Sequence, residues 1–217
     1  TSVLSLTFSE TVNASSFKPE DISILAGKSS AQIVALTGGS WSTFDQPTLF
    51  LTLSNQDLNS LKANENLATS QNSTFLSILS SAIKDMNGNA VVAITVGDAI
   101  EATTFGRDVF PPEVESVQID LTTGLLTIGF DETVKADTLK PDFVTIQDNK
   151  TKVSFSLTLD NSSIVRPTNA DILVIELTKD DLNDLKANTD LATSKDNSFV
   201  TFVNAAVKDM NTNSLAA

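Results

Sequence analysis

Hydrophobic and polar residues alternate with a period of two along much of the chain. Leu4, Leu6 and Phe8 alternate with Ser5 and Thr7. The same alternation recurs with apolar residues at Leu49, Leu51 and Leu53, at Val117, Ile119 and Leu121, at Leu126, Ile128 and Phe130, and at Leu173, Ile175 and Leu177. Such alternation predicts β-strands with one buried and one solvated face. Turn-forming residues separate the runs, so the pattern predicts an all-β fold of antiparallel β-sandwiches.

The strand pattern occurs twice because the sequence contains an internal repeat. Phe8–Val12 (FSETV) matches Phe130–Val134 (FDETV), and residues 54–91 closely match residues 178–215. The offset is 122 positions in the first block and 124 in the second, so the second copy has two additional residues near its middle. A repeat of about 120 residues has the size of a whole domain rather than of a solenoid unit. We therefore expect two tandem Ig-like β-sandwich domains, residues 1–107 and 108–217.

One short helical crossover is predicted in each copy. Ser54 and Thr178 occupy N-cap positions, and Asp57 and Asp181, three residues later, complete a start that resembles a capping box. Leucines at i, i+3 spacing follow, which suits a helix that packs on the edge of a sheet. We interpret this helix as a structural element that closes one end of the sandwich.

The two copies differ at their ends. Residues 113–121 predict a strand that has no counterpart in the first copy, so repeat 1 is expected to lack its first strand. Residues 90–96 predict a final strand in the first copy, whereas in the second copy the corresponding strand is truncated. These differences suggest a window from a longer tandem array. If the chain is no longer than this, strand exchange between molecules would close the unpaired edges and could build a homopolymer.

Composition and charge exclude several classes of function. The 217-residue chain has a net charge of −13 and contains neither His nor Cys. The negative charge argues against nucleic-acid binding. Without His and Cys there are no disulfides, common zinc sites, or Ser-His-Asp and Cys-His catalytic arrangements. No pair of acids is singled out for glycoside hydrolysis, and no apolar run is long enough to span a bilayer, so we predict neither an enzyme nor a membrane span.

Acid and amide side chains alternate in one loop of each copy, which suggests a calcium site. The candidate ligands are Asp85, Asn87 and Asn89 in the first copy and Asp209, Asn211 and Asn213 in the second. Oxygen ligands at alternate positions resemble the D-x-[DN]-x-[DN] pattern of calcium loops, although the closing glutamate of an EF-hand is missing. The alternative is a tight turn in which Asn-Gly supplies a positive φ and the Asp and Asn side chains bind their own backbone.

Further carboxylates are expected at the same loops. In an Ig-like sandwich the first strand starts, the second ends and the last begins at one pole. Asp108, Glu132 and Asp209 occupy these three places in the second copy, and Glu10 and Asp85 are counterparts in the first. Bound Ca²⁺ would offset the repulsion between the acids and stiffen the array at the interdomain pole. The competing interpretation is that Glu10 and Glu132 only accept hydrogen bonds from backbone N–H groups.

The single tryptophan offers a different kind of function. Trp41, with Phe44 nearby, lies in a stretch that differs between the copies, and the second copy has no aromatic residue there. An exposed aromatic platform would suit a carbohydrate- or protein-binding module that uses these loops. The alternative is that Trp41 belongs to the core under a loop.

Several of these motifs occur together in known repeat domains. Phe8–Val12, the Lys84–Asn89 block and Asp108-x-x-Pro111-Pro112 resemble signatures of bacterial Ig-like domains of the S-layer type. The Asp-Leu-Asn-x-Leu-Lys-Ala-Asn and Leu-Ala-Thr-Ser blocks are similar to long tandem repeats in extracellular proteins of heterokont algae. Asp131 and Thr212 depart from the pattern in the second copy.

This resemblance implies a secreted or cell-surface multidomain protein with a structural or adhesive role. We therefore expect an extracellular spacer or assembly module whose partners are neighbouring repeats of the same protein, or a glycan or surface protein. The sequons at Asn13, Asn72, Asn149 and Asn161 permit glycosylation.

Overall fold

The computed structural model describes residues 2–166 and 168–216, and it divides into two compact units, Thr1–Asp108 and Val109–Ala217. Most regular structure is antiparallel β-sheet, as the alternation predicts. Among the described residues, no helix combines the length and hydrophobicity that crossing a membrane requires.

The first unit contains eight strands among its described residues. They are β1 (Val3–Asn13), β2 (Ile22–Leu25), β3 (Ile33–Ala35), β4 (Gly39–Trp41), β5 (Gln46–Leu53), β6 (Phe75–Ile78), β7 (Lys84–Asp85) and β8 (Ile100–Glu101). The strands form two antiparallel sheets with the orders β4-β5-β1-β7 and β3-β2-β6-β8. Helical segments are α1 (Asn55–Lys62) and the 3-10 turns Ala14–Ser16, Pro19–Asp21, Gln71–Ser73 and Val96–Asp98.

The described part of the second unit repeats this arrangement with one strand added and one missing. Its strands are β9 (Val114–Asp120), β10 (Leu125–Lys135), β11 (Val144–Gln147), β12 (Ser156–Thr158), β13 (Ile164–Val165), β14 (Ala170–Glu176), β15 (Phe199–Phe202) and β16 (Lys208–Asp209). One sheet has the order β13-β14-β10-β16 with β9 also paired to β10, and the other has the order β12-β11-β15. Helical segments are α2 (Lys179–Ala187) and the 3-10 turns Ala136–Thr138, Pro141–Phe143 and Lys195–Asn197.

Both sheets of a unit contribute to one hydrophobic core. In the first unit, Leu49 and Leu51 of β5 pack in the same cluster as Ile22, Ile24 and Ile78 of the other sheet. In the second unit the corresponding cluster includes Leu126, Ile128, Leu173 and Ile175 from one sheet and Val144 and Ile146 from the other. A core enclosed by two antiparallel sheets is a sandwich-like arrangement.

The central ladder has the same register in both units. Leu4 of β1 pairs with Leu51, and its counterpart Leu126 of β10 pairs with Ile175. Each ladder is interrupted by an irregularity, after Thr7 in β1 and after Gly129 in β10, and then resumes. Beyond the irregularity, both long strands pair with the short strand β7 or β16 on their other side. The aligned residues of the two copies therefore occupy equivalent places.

Strand β9 distinguishes the second unit from the first. It confirms the strand predicted at residues 113–121, and it pairs with β10 from Leu125↔Asp120 to Phe130↔Val114. Within residues 2–166 and 168–216, no strand pairs with the equivalent edge of β1 over residues 3–9. The apolar side chains of β10 are consequently buried, whereas those at the same positions of β1 are only half-buried: Leu126, Ile128 and Phe130 against Leu4, Leu6 and Phe8.

The prediction of a strand at residues 90–96 is wrong. Ala90 forms an isolated bridge with Lys84 of one sheet, and Ile94 forms one with Ile78 of the other. Because the chain crosses here from one sheet to the other, it cannot continue a ladder in either. The strand that extends the second sheet is β8, which begins only at Ile100.

The helices confirm the predicted N-caps and depart from the predicted capping box. Ser54 Oγ accepts a hydrogen bond from Asp57 N at 3.1 Å, and Thr178 Oγ1 accepts one from Asp181 N at 3.0 Å. In a capping box the Asp57 carboxylate would return to the N-cap backbone. Instead it accepts hydrogen bonds from Thr37 N at 2.9 and 3.0 Å and from Thr37 Oγ1 at 2.8 Å. The helix start is therefore tied to a loop twenty residues earlier.

The two additional residues of the second copy lie between strands. Leu25 at the end of β2 matches Gln147 at the end of β11 with an offset of 122, and Leu49 in β5 matches Leu173 in β14 with an offset of 124. The connections between these strands absorb the difference, since the register of the central ladder is unchanged.

Candidate metal site and its surroundings

The acidic loop of the first unit is a tight turn closed by Asp85. Its Oδ1 accepts hydrogen bonds from Asn87 N and Asn89 N, both at 2.8 Å, and its Oδ2 accepts one from Asn89 Nδ2 at 2.7 Å. The backbone closes the same turn, because Asp85 N donates to Asn89 O at 2.9 Å and Gly88 N donates to Asp85 O at 3.2 Å. Gly88 has a φ of 88°, which glycine adopts without strain. This geometry favours the turn interpretation of the loop.

These hydrogen bonds also set the charge of the loop. The hydrogen bond from the Asn89 side chain, together with those from the backbone of residues 87–89, holds the pKa of Asp85 below its usual value of 3.8. Donors that favour the carboxylate make protonation harder. Asp85 is therefore anionic throughout the neutral range.

The second unit repeats the turn around Asp209. Its Oδ1 accepts hydrogen bonds from Asn211 N at 2.9 Å and Asn213 N at 2.7 Å, and its Oδ2 accepts one from Asn213 Nδ2 at 2.7 Å. Thr212 stands where the first unit has Gly88, and it adopts a φ of 71°. A β-branched residue in this left-handed conformation is strained, so the surrounding turn holds it there.

The structure brings together the three carboxylates that the sequence placed at one pole of the second copy. Oxygens of Asp108, Glu132 and Asp209 all lie within 4.8 Å of one another. Glu132 and Asp209 belong to the second unit and are buried, with 7% and 0% of their surface exposed. Asp108 is joined to that unit through the peptide bond to Val109. Two buried carboxylates this close to each other repel strongly unless positive charge or hydrogen bonds offset them.

The donor set of this group fits a hard divalent cation. Ca²⁺ binds carboxylate and carbonyl oxygens at about 2.3–2.6 Å, so ligand oxygens up to about 5 Å apart can share one ion. The group consists of oxygen donors alone, which suits Ca²⁺ better than Zn²⁺. A positive charge is also supplied by protein, because Lys62 Nζ contacts Asp108 Oδ2 at 2.6 Å and both side chains are mostly buried. A metal ion bound here would therefore compete with Lys62 for the carboxylate of Asp108.

The counterparts in the first unit do not form a similar group. Glu10 is exposed and Asp85 is half-buried, and among the described residues no third carboxylate joins them within the same distance. The strand and linker that bring Asp108 to Glu132 in the second copy have no counterpart among residues 2–108. Of the amide residues predicted as ligands, Asn87, Asn89, Asn211 and Asn213 all lie in the two turns.

Trp41 is part of the wall of a shallow pocket. Its indole Nε1 donates a hydrogen bond to Ala14 O at 3.1 Å, and its ring meets that of Phe17 edge-on with centroids 5.4 Å apart. Ala14, Ser15, Ser40 and Thr43 line the same pocket of about 360 Å³. The indole is thus anchored to the core while one part of it stays accessible. Phe44, three residues later, is 78% exposed.

Two buried carboxylates were not predicted as anchors. Asp57 is 1% exposed and accepts hydrogen bonds from Thr37 in the loop between β3 and β4. Asp181 is 7% exposed and binds the corresponding loop between β12 and β13. Asp181 Oδ2 accepts hydrogen bonds from Asp160 N at 3.0 Å and Ser163 Oγ at 3.3 Å. In the sequence, the only signal was an aspartate three residues after each N-cap. That position is as compatible with a capping box as with an anchor for a distant loop.

The chain matches no family model, no curated protein and no solved structure.

Proposed function

We propose that the chain is a structural spacer or assembly module of a secreted or cell-surface repeat protein, built from two Ig-like sandwiches. The observation that carries this proposal is the duplication of one frame, down to single hydrogen bonds. Lys18 N donates to Ala82 O at 2.8 Å, and Lys140 N donates to Ala206 O at 2.9 Å. A domain that is duplicated together with its internal hydrogen bonds suits a protein whose role is to hold other parts at a fixed distance by a stiff connection.

Two further pairs of contacts extend the duplication to the loops. Lys84 N donates to Ser16 Oγ, and Lys208 N donates to Thr138 Oγ1, both at 2.9 Å. Ala68 and Ala192 both adopt a positive φ, of 53° and 57°. Loops that are held in the same conformation in both units suit a rigid repeated frame.

Calcium is the second part of the proposal. Ca²⁺ bound by Asp108, Glu132 and Asp209 would join the segment that enters the second unit to strands β10 and β16. The burial of Glu132 and Asp209 supports this, since a bound cation offsets the cost of keeping two carboxylates close together away from water. The spacer would then be stiff in a calcium-rich extracellular medium and looser without it.

Calorimetry of the full chain tests the proposal. Millimolar Ca²⁺ should raise the melting temperature by several degrees, as expected for a ligand present at about 100 times its Kd, and a chelator should remove the increase. Asp209→Asn should abolish the response, whereas the matched variant Asp85→Asn in the first unit should retain it. A response of equal size in Asp209→Asn, or in Mg²⁺ alone, would exclude the calcium site. Scattering data that give a collapsed or highly variable end-to-end distance would contradict the spacer.

A second candidate function rests on the pocket beside Trp41. A partly accessible indole above an open pocket, with exposed Phe44 nearby, is a suitable surface for a sugar ring or an apolar peptide side chain. Glycan-array binding by the full chain that is lost in Trp41→Ala and retained in Phe44→Ser would favour this function. Binding lost in neither variant would exclude it.

A further inference from the structure

We infer that Asn13 is a glycosylation site and that the first sugar attached to it occupies the shallow pocket beside Trp41. This inference rests on the proposed secretion of the chain, because the sugar is added on the secretory route. It gives the pocket an occupant that belongs to the same molecule. Asn13-Ala14-Ser15 is one of the four sequons in the sequence, and its contacts place the reactive nitrogen at the pocket.

Two hydrogen bonds orient the side chain of Asn13. Its Oδ1 accepts from Ser15 N at 3.0 Å and from Ser15 Oγ at 2.6 Å. Because a backbone N–H can only donate, the atom that faces it is the oxygen, and the amide nitrogen points elsewhere. Within the part of the chain that the structure describes, Nδ2 of Asn13 makes no hydrogen bond. The residue is only half-buried, so this nitrogen is available for a covalent bond to a sugar.

The pocket begins at the same sequon. Its volume is about 360 Å³, and the residues that line it are Ala14, Ser15, Ser40, Trp41 and Thr43. Ser15 Oγ, which belongs to this lining, lies 2.6 Å from Asn13 Oδ1. Since Oδ1 and Nδ2 are bonded to the same carbon, a sugar on Nδ2 starts at the rim of the pocket.

The chemistry of the pocket suits a pyranose ring. The indole Nε1 of Trp41 already donates to Ala14 O at 3.1 Å, so the accessible part of the side chain is apolar aromatic surface. Such a surface packs against the C–H face of a sugar. The exposed hydroxyl groups of Ser40 and Thr43 offer hydrogen bonds to the sugar hydroxyls. A weak contact is sufficient, because a tethered sugar is present at a high effective concentration.

The second unit lacks both parts of this arrangement. By the register of the strands, Lys135 of β10 stands where the first unit has Asn13, and Val165 of β13 stands where it has Trp41. This sequon and the tryptophan are therefore present together in one copy and absent together from the other. A packing role of Trp41 alone would not require an asparagine at position 13.

The backbone that carries these residues is the same in both units. Ala14 N donates to Asp45 Oδ1 at 2.9 Å, and Ala136 N donates to Asn169 Oδ1 at 3.0 Å. A 3-10 turn follows in each case, Ala14–Ser16 in the first unit and Ala136–Thr138 in the second. The fold thus tolerates either set of side chains, and a shared ligand accounts for the joint change.

The modification is a substitution at the anomeric carbon of a sugar donor. The donor is an oligosaccharide linked to a lipid pyrophosphate, and an oligosaccharyltransferase of the secreting cell catalyses the transfer. A bond forms between Nδ2 of Asn13 and C1 of the sugar, while the bond from C1 to the pyrophosphate oxygen breaks and the lipid pyrophosphate leaves. Nδ2 loses one proton to the enzyme, and neither reactant is oxidised or reduced.

Secretion of the full chain from a eukaryotic host, with only this sequon retained, tests the modification. The other sequons are removed by Asn72→Gln, Asn149→Gln and Asn161→Gln. We expect the intact mass to include a glycan that peptide-N-glycosidase releases, with conversion of the asparagine at position 13 to an aspartate. Ser15→Ala should abolish the added mass, and Ser15→Thr should retain it. A secreted protein that carries no glycan at Asn13 would overturn the inference.

The fluorescence of the single tryptophan tests the position of the sugar. An endoglycosidase first trims the glycan to its innermost N-acetylglucosamine. Trp41 should then emit at a shorter wavelength, and acrylamide should quench it less than in Asn13→Gln or Ser15→Ala, because the sugar excludes water and quencher from the indole. Equal emission and equal quenching in the glycosylated and unglycosylated forms would show that the sugar does not dock on Trp41.

Thermal unfolding provides a second measurement of the same contact. The glycosylated protein should melt about 2–4 °C higher than Asn13→Gln. In Trp41→Val, which copies the second unit, the glycan should give no such increase, and an increase of the same size would overturn the docking. The calcium response and the scattering measurements are made on chain from the bacterial cytoplasm, which carries no glycan. Failure at Asn13 therefore leaves the proposed spacer function intact, and failure of the spacer tests is recognised separately.

Discussion

Asp85 and Asp209 close the same turn with the same three hydrogen bonds, but only Asp209 is fully buried. Each accepts hydrogen bonds at Oδ1 from the backbone N–H groups two and four residues later, and at Oδ2 from an asparagine amide. Asp209 is 0% exposed, whereas Asp85 is half-buried. Because the two turns are equivalent, the difference in exposure must come from the residues that cover each turn.

Replacing these aspartates by alanine should have unequal effects. Asp209→Ala leaves a buried site in which the N–H groups of the half-buried Asn211 and Asn213 lose their acceptor, and it should lower the free energy of unfolding by roughly 1–3 kcal/mol. Asp85→Ala should destabilise less, because water can reach the donors that it frees. Chemical denaturation of both variants measures the difference, with Asn211→Ala as a control that keeps the carboxylate. A larger loss in Asp85→Ala would contradict the burial argument.

The turn of the first unit should contribute to acid sensitivity. The pKa of Asp85 is lowered from 3.8, mainly by the Asn89 side chain, so the folded state binds this proton less readily than the unfolded state. The resulting stabilisation is present above pH 3.8 and is lost as the pH falls through the lower pKa of the folded state. Titration of the Asp85 carboxyl carbon by NMR should give a midpoint below 3.8.

The Asn89→Ala variant isolates the cause of this shift. Without the Asn89 amide, the midpoint should move back towards 3.8. The exposed neighbour Met86 provides the control, since Met86→Ala leaves all acceptor contacts of the carboxylate in place. A midpoint in Asn89→Ala as low as in the unaltered protein would show that the backbone donors alone cause the shift.

Substitution by glycine should relieve the backbone strain at Thr212. Thr212 adopts a φ of 71°, where Gly88 in the first unit adopts 88°. Thr212→Gly should therefore stabilise the protein by about 1 kcal/mol, because a left-handed conformation costs a residue with a Cβ about 1–2 kcal/mol and glycine almost none. The reverse change, Gly88→Thr, should destabilise by a similar amount. Thermal unfolding of both variants checks the prediction, and a destabilising Thr212→Gly would refute it.

We expect the buried carboxylate of Asp57 to contribute more to the free energy of unfolding than its position at the start of a helix suggests. Asp57→Ala removes the acceptor of Thr37 N and Thr37 Oγ1 and should cost roughly 1–3 kcal/mol. The single tryptophan, Trp41, lies in the same unit, so its fluorescence follows the unfolding of that unit. The exposed neighbour Gln56 is the control, and Gln56→Ala should change the stability by less than about 0.5 kcal/mol.

Local pattern was sufficient to predict the strands that form the core. The alternation around Leu49 and Leu51 gave the buried face of β5 correctly, and the matching alternation around Leu173 and Ile175 gave that of β14. Ser54 and Thr178 were identified as N-caps because a cap is defined by residues only three positions apart. These features depend on short-range geometry, which a sequence displays directly.

Features that depend on distant contacts were not predictable in the same way. Residues 90–96 alternate enough to suggest a strand, but Ala90 and Ile94 bridge different sheets, and nothing within the segment indicates a crossing. Asp57 was placed correctly on the helix, yet its partner Thr37 is twenty residues away. The approach of Glu132 to Asp209 was anticipated only because a whole topology was assumed and its strand ends were compared.

The connection from β2 to β5, and its counterpart from β11 to β14, differ in length by two residues without any change in the neighbouring ladder. Loop closure costs little for each added residue once a loop is already long. A module of this kind can therefore accept grafted sequence at this point while its frame keeps its dimensions. Epitopes or binding peptides inserted there would be displayed at regular intervals by any polymer of such modules.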